Sequence, residues 1–166
     1  MTREGALVVT IAVVLVLFGA LAWAWMRRRR RDGGLRAPFG EPPAGAHARD
    51  VFPSLYVATT RHDEPLERLA IAGLAFRSRA DVTVTDGGVV LDLAGQPRMY
   101  LPAGRIAAVA QSTVAIDRVV EKDGLVRLTW RLDDGALADT YLRPQDSSAR
   151  ALADSIGALT TTGTDA

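Results

Sequence analysis

The chain has 166 residues, a formal net charge of +1 and no cysteine. That length allows one modest domain, and the missing thiols exclude disulfides, thiolate catalysis and cysteine-ligated zinc. The charge is unevenly placed: residues 1–31 hold six arginines against one glutamate, while the remainder holds 14 basic and 18 acidic residues, a net of −4, which argues against a nucleic-acid surface on the soluble part.

Residues 5–26, GALVVTIAVVLVLFGALAWAWM, contain neither charge nor proline. As a helix they extend about 33 Å, enough for a hydrocarbon core of roughly 30 Å. Their apolar character runs all round the helix, the pattern of a membrane span. ALA at 20–22 resembles a signal cleavage site, but a secretory signal carries its positive charge before a shorter apolar region. Here only Arg3 precedes the segment and five arginines follow it, so an uncleaved anchor is the reading. Trp23 and Trp25 stand at the headgroup level. Arg27, Arg28, Arg29, Arg30 and Arg31 stop insertion, since each costs about 3 kcal/mol at a helix centre. They also clamp anionic lipid, at about 1 kcal/mol each. These seven residues are the candidate membrane-interface site; the same arginines as a nucleic-acid ligand are the lesser reading. The charge asymmetry places the chain in the plasma membrane with its N-terminus outside and its C-terminal domain cytoplasmic. Ala20 and Ala24 offer a weak small-residue spacing for helix pairing.

Residues 32–53 hold four of the eight prolines and no apolar period, which reads as a linker. The resulting map is a short end at 1–4, a transmembrane helix at 5–26, a basic stop-transfer and linker at 27–53, a domain at 54–160 and a frayed tail at 161–166. Within the domain, 54–60 alternates as a strand. DEPLERLAIAG, 63–73, predicts a short helix: Asp63 as cap, Pro65 in the first turn, Leu66, Leu69 and Ala70 on one face, Gly73 as stop. ADVTVTDGGVVLDL, 80–93, predicts a hairpin whose Asp86-Gly87 turn takes positive φ angles. RMYLP, 98–102, is a further strand, and 104–116 fits strand or helix. GLVRLTWRL, 124–132, alternates strongly, with Val126, Leu128, Trp130 and Leu132 on one face and Leu125, Arg127, Thr129 and Arg131 on the other. DDG at 133–135 turns the chain into a strand at 136–143. Residues 146–160 predict an amphipathic helix capped by Asp146, with Ala149, Leu152, Ala153, Ile156 and Leu159 inward. The fold class is α+β: a transmembrane helix, then a roll of about seven antiparallel strands closed by a C-terminal helix.

Five stretches carry a resemblance: YVATT (56–60), LERLAIAGLAFRSRADVTVTDGGV (66–89), YLPAGRI (100–106), VVEKDGLVRLTWRL (119–132) and DTYLR (139–143). With the anchor, they resemble small actinobacterial single-pass membrane proteins with a cytoplasmic PH-like domain, a family of unknown function. One lysine against nineteen arginines and no asparagine suit a GC-rich bacterial genome. The resemblance implies two nearly orthogonal sheets and a C-terminal helix. It implies no activity, and the family's genes often neighbour those of pyrimidine biosynthesis, which points weakly to a metabolic partner.

No catalytic, cofactor or metal site is expected. His47 and His62 are separated and read as solvated loop histidines, and Asp133-Asp134 and Glu121/Asp123 as turn residues without calcium-loop spacing. Arg77, Arg79, Arg127, Arg131 and Arg143 read as exposed sheet residues paired with acids. RHDEPLER, 61–68, carries three acids against two arginines, where headgroup-binding PH domains have a basic cluster. The function expected is therefore non-enzymatic: protein interaction or self-assembly at the cytoplasmic membrane face, with no cofactor, no nucleic acid and a possible homo-oligomer. The alternative is a membrane-tethered lipid- or small-anion-binding domain.

Overall fold

The computed structural model describes residues 3–115, 118–119 and 124–162. The chain forms two units, Met1–Gly34 and Leu35–Ala166.

The first unit is one helix, α1 (Arg3–Asp32). It runs on through the five arginines, which the sequence map had assigned to the linker. Arginine is a good helix former, and the helix stops where Gly33-Gly34 raise the cost of continuing. Its Leu7–Asp32 stretch is long and apolar enough to cross a membrane, with a mean hydropathy of 2.7 over an 18-residue window.

The second unit contains β1 (Ala48–Arg61), β2 (Glu64–Arg68), β3 (Ser78–Thr85), β4 (Gly88–Leu93), β5 (Met99–Pro102), β6 (Ile106–Ser112), β7 (Val114–Ala115), β8 (Arg118–Val119), β9 (Leu125–Arg131), β10 (Leu137–Pro144) and α2 (Ala149–Thr162). The sheet order is β5-β4-β3-β1-β10-β9-β6, with β2 added to β1, while β7 and β8 pair separately. Every described pairing is antiparallel. β1 unites the two halves: its first part pairs with β3 and its second with β10, with an irregularity between Tyr56 and Ala58.

Alternation builds the core. Val82 and Val84 of β3, Val89 and Leu91 of β4, and Val126, Leu128 and Trp130 of β9 are buried on the inner face. Leu152, Ile156 and Leu159 of α2 close over them. A polar chain crosses this core: Trp130 Nε1–H donates to Thr140 Oγ1 (2.9 Å), which lies 2.9 Å from Thr59 Oγ1. The Tyr56 hydroxyl is 2.9 Å from Thr59 Oγ1 and donates to the Leu74 carbonyl (2.8 Å). Burial pushes the Tyr56 phenol up to about 12.

Four expectations change. The helix over 63–73 is absent: Asp63 takes φ 60°, and the chain turns back as β2 along β1. Leu69, Ile71 and Leu74 are buried while Leu66 is exposed, so helical spacing did not mark a single face. The linker ends sooner than expected, because residues 48–53 already pair with β3. The 86–87 turn forms without positive φ at either residue; Thr85 Oγ1 donates to Gly88 O (2.9 Å) to close it. Glycine is required instead at 88, where a Cβ would strike the Leu101 carbonyl. The cap of α2 is Ser148, whose Oγ accepts from Ala151 N–H (3.1 Å), and not Asp146. The ambiguous 104–116 segment supplies strands β6 and β7. The expected fraying at the C-terminus concerns residues 163–166, outside those described, while Thr161 and Thr162 continue α2.

Candidate functional site

Three features of the molecule bear on function, and the first is the C-terminal end of α1. Trp23 and Trp25 are well exposed there. Trp23 and Arg27 are four residues apart, so one helical turn brings them together: the guanidinium carbon stands 5.5 Å from the ring centroid. Arg31 Nε–H donates to Asp32 (3.0 Å). Arg30 follows on the same helix. The positions of Arg28 and Arg29 are helical. Positions 27–31 are five consecutive helical positions, which at 100° each span more than one full turn of the axis beyond the tryptophans.

The second feature is an ionic cluster around one buried carboxylate, Asp139, that the sequence reading missed. β1 ends at Arg61, and the His62-Asp63 turn folds back over β10 and β9. Asp139 of β10 lies beneath that turn, fully buried. Its carboxylate accepts from Thr129 Oγ1 (2.6 Å), His62 Nδ1 (2.9 Å) and the Asp63 backbone N–H (3.3 Å). His62 Nε2 is 3.4 Å from Asp63 Oδ2. Arg127 Nη1 stands 3.8 Å from Asp63 and 4.0 Å from Asp139. Nearby, burial and the Asp139 charge raise the Tyr141 phenol.

His62 is therefore a ring held by a buried carboxylate, with its side chain 32% exposed, and not a solvated loop histidine. His47 is exposed as expected. His62, Asp63 and Asp139 could each offer one atom to a metal ion, all within 4.8 Å of one another. The donor set does not fit one well: Asp139 already accepts three hydrogen bonds, and Arg127 supplies the positive charge. The cluster instead positions the loop from β1 to β3. Arg68 does the same further along, donating to the carbonyls of Ala75 (2.7 Å) and Val57 (2.8 Å).

The third feature is the surface. Leu66 and Phe76, both between β1 and β3, are 76% and 82% exposed. A groove of about 700 Å³ crosses the outer side of β4, β3 and β1, lined by Asp81, Asp92 and Asp146 against a single Arg79. Asp81 and Asp92 face each other across the strands. Arg98 offsets Asp92 at 2.6 Å and Glu41 at 2.7 Å, and these two acids raise its pKa. Arg105 likewise pairs with Asp133 (2.8 Å). The five arginines considered for an anion site are divided: Arg127 belongs to the ionic cluster and Arg79 lines the acidic groove, while Arg79 and Arg143 flank Leu55 from the neighbouring strands β3 and β10.

Asp139 was hidden in the sequence because its alternation with Tyr141 and Arg143 resembles a solvent face. The usable signal was His62-Asp63 directly after a strand, a turn able to reach a facing carboxylate.

No curated protein sequence matches the chain. Among solved structures, it is similar to a chain of "The 8S snRNP Assembly Intermediate", with a TM-score of 0.51 and 9% identity over 77% of this chain and 92% of that one. It is also similar to the C-terminal domain of an unknown protein from Leishmania infantum, with a TM-score of 0.46 and 8% identity over 85% and 98%. At such identities the first likeness speaks to the fold alone. A family model described as "Bacterial PH domain-like" matches residues 21–156, and the strand order closed by α2 agrees with it. The chain belongs to the bacterial PH domain-like family.

Proposed function

We propose that this is a non-enzymatic, single-pass protein of the plasma membrane, of the actinobacterial kind it resembles. α1 anchors it with the N-terminus outside, and the PH-like domain binds protein, another chain or its own copy, at the cytoplasmic face. The observation that carries this reading is the loop between β1 and β3. A headgroup-binding domain would present a basic pocket there. In this loop Arg68 is spent on backbone carbonyls and His62 is held by Asp139; Leu66 and Phe76 are exposed, beside the exposed acids Asp63 and Glu64 and one exposed cation, Arg77. Exposed apolar side chains on a positioned loop suit protein contact. The groove, whose charged lining is Asp81, Asp92 and Asp146 against Arg79, disfavours an anionic ligand.

The test uses the full chain in its native membrane with a photo-crosslinking amino acid in place of Phe76. Adducts of defined protein mass are expected. Adducts to lipid alone would overturn the reading in favour of a lipid-binding domain.

A further inference from the structure

His62 is bracketed by carboxylates at both ring nitrogens. Nδ1 lies 2.9 Å from Asp139 Oδ1, and Nε2 lies 3.4 Å from Asp63 Oδ2. The two acids differ in setting: the Asp139 side chain is buried, while that of Asp63 is exposed. Asp63 also holds φ 60°, the one described non-glycine residue with positive φ. That conformation is rare for a residue with a Cβ, although aspartate adopts it more readily than most, so the turn depends on the contacts that hold it.

A neutral imidazole has one N–H and one bare lone pair, whereas an imidazolium has two N–H groups. With its proton on Nδ1 the neutral ring satisfies Asp139 and turns the Nε2 lone pair towards an Asp63 oxygen. The opposite tautomer satisfies Asp63 and sets a lone pair against the buried carboxylate, where an unmet acceptor costs more. Only the imidazolium donates to both acids. The surrounding charges act in the same sense. Arg127 of β9 is 3.8 Å from Asp63 and 4.0 Å from Asp139, so two cations balance two carboxylates when the ring is protonated, and one negative charge is left over when it is not. Tyr141 of β10, its phenol raised by burial and by the Asp139 charge, stays neutral through the physiological range. Arg61 and Glu64 flank the turn and stand opposite each other at the junction of β1 and β2.

We infer that the His62-Asp63 turn is a proton-operated latch on the loop between β1 and β3. With His62 protonated, the ring ties Asp63 to Asp139 and the start of the loop is held. As the pH rises and Nε2 loses its proton, Asp63 is released and the loop that carries Leu66 and Phe76 loosens. Leu66 follows Asp63 by three residues, so the release reaches it first. Arg68, donating to the carbonyls of Ala75 and Val57, holds the later part of the loop in both states. Histidine is the side chain whose ordinary charge change falls between pH 5 and 8, so the latch works near neutrality. It is a property of the loop itself and does not depend on what the loop contacts.

The chain has no cysteine and two histidines, His47 and His62, so a single label and two substitutions decide the matter. A nitroxide is attached through Leu66→Cys, which replaces an exposed side chain, in the full chain in phosphatidylcholine vesicles with chelator present. Its electron paramagnetic resonance spectrum is followed from pH 5 to 8, with the same label through Ala151→Cys, an exposed position of α2, as control. The ratio of mobile to immobile label at 66 should rise by about fivefold or more across that range, the lower end of site-to-site couplings, and stay constant at 151. His62→Gln, which cannot take up the proton, should abolish the change. Asp63→Asn should abolish it as well, because an amide can donate to Nε2 or accept from it and suits the positive φ. His47→Gln should leave it intact. A flat response in the parent, a fall in mobility with rising pH, an equal change at 151, loss of the change in His47→Gln, or a change that survives His62→Gln or Asp63→Asn would each overturn the latch. Cross-linking at Phe76 reports the partner separately, so failure of the latch leaves the protein-contact reading standing.

Discussion

Trp130→Ala probes the core most sharply. The indole is fully buried between β9 and α2. A buried tryptophan removes about 150–250 Å² from water, worth roughly 4–6 kcal/mol at 25 cal/mol per Å² as an upper value. Alanine retains a part of this. The lost N–H does not orphan Thr140, whose hydroxyl keeps Thr59 at 2.9 Å, so no separate penalty for an unsatisfied polar group arises. Arg105, 5.9 Å from the ring centroid, keeps its bonds to the Arg131 carbonyl and Asp133. The expected loss is about 3–5 kcal/mol, a large share of the ~5–15 kcal/mol of an ordinary domain. Urea denaturation of residues 35–166 followed by circular dichroism measures it. Fluorescence is unsuitable, because Trp23 and Trp25 lie in α1 and Trp130 is the one indole of that fragment. A loss below about 1 kcal/mol would refute the reasoning, because so small a value belongs to surface positions.

Asp139→Asn keeps the shape and removes the charge facing His62 and Arg127. It should cost about 1–3 kcal/mol, as for hydrogen bonds that lose their charged partner while the His62 and Arg127 left behind keep solvent contact, and speed amide exchange at His62 and Asp63; unchanged stability and exchange would show that the cluster does not hold the loop. The Tyr56 phenol titrates at about 12 in the fold and near 10 when unfolded. Its contribution is thus fully present below pH 10 and is lost as pH rises towards 12, by roughly 2–3 kcal/mol at ~1.4 kcal/mol per unit. Tyr56→Phe should flatten that alkaline decline while costing about 1–3 kcal/mol at neutral pH, since the Leu74 carbonyl loses its donor; an equally steep decline in the variant would assign it to other groups. A reporter active only outside the cytoplasm, fused after Ala166, should stay silent, and its activity would reverse the orientation.

The sequence disclosed the elements whose pattern is local. The charge-free run at 5–26, the β3–β4 hairpin, the alternation around Trp130 and the one-sided apolar face of α2 each announce themselves within a window of about 10–20 residues. What stayed hidden depends on distant partners. Val51 becomes a strand residue because it meets Thr83, and Pro53 fits β1 just before β10 joins at Ser54. Leu66, Leu69 and Ala70 carried helical spacing, but pairing with β1 and burial of Leu69 overrode it. The ionic cluster unites residues up to 77 positions apart, which no local period encodes. The succession of tryptophans and arginines at the end of α1 was legible because it is an order along one helix.

The central claim is that the domain acts through protein contact and not through lipid headgroups. Residues 50–160 carry 12 basic and 15 acidic side chains, and like charge weakly repels such a domain from an anionic bilayer, less so as salt rises. The direct measurement is co-sedimentation of residues 35–166, without α1 and the arginines, with liposomes containing phosphatidylglycerol, cardiolipin or phosphoinositides at physiological salt. The account predicts that the domain stays in the supernatant with all three. Tight, saturable pelleting with any of them would contradict it.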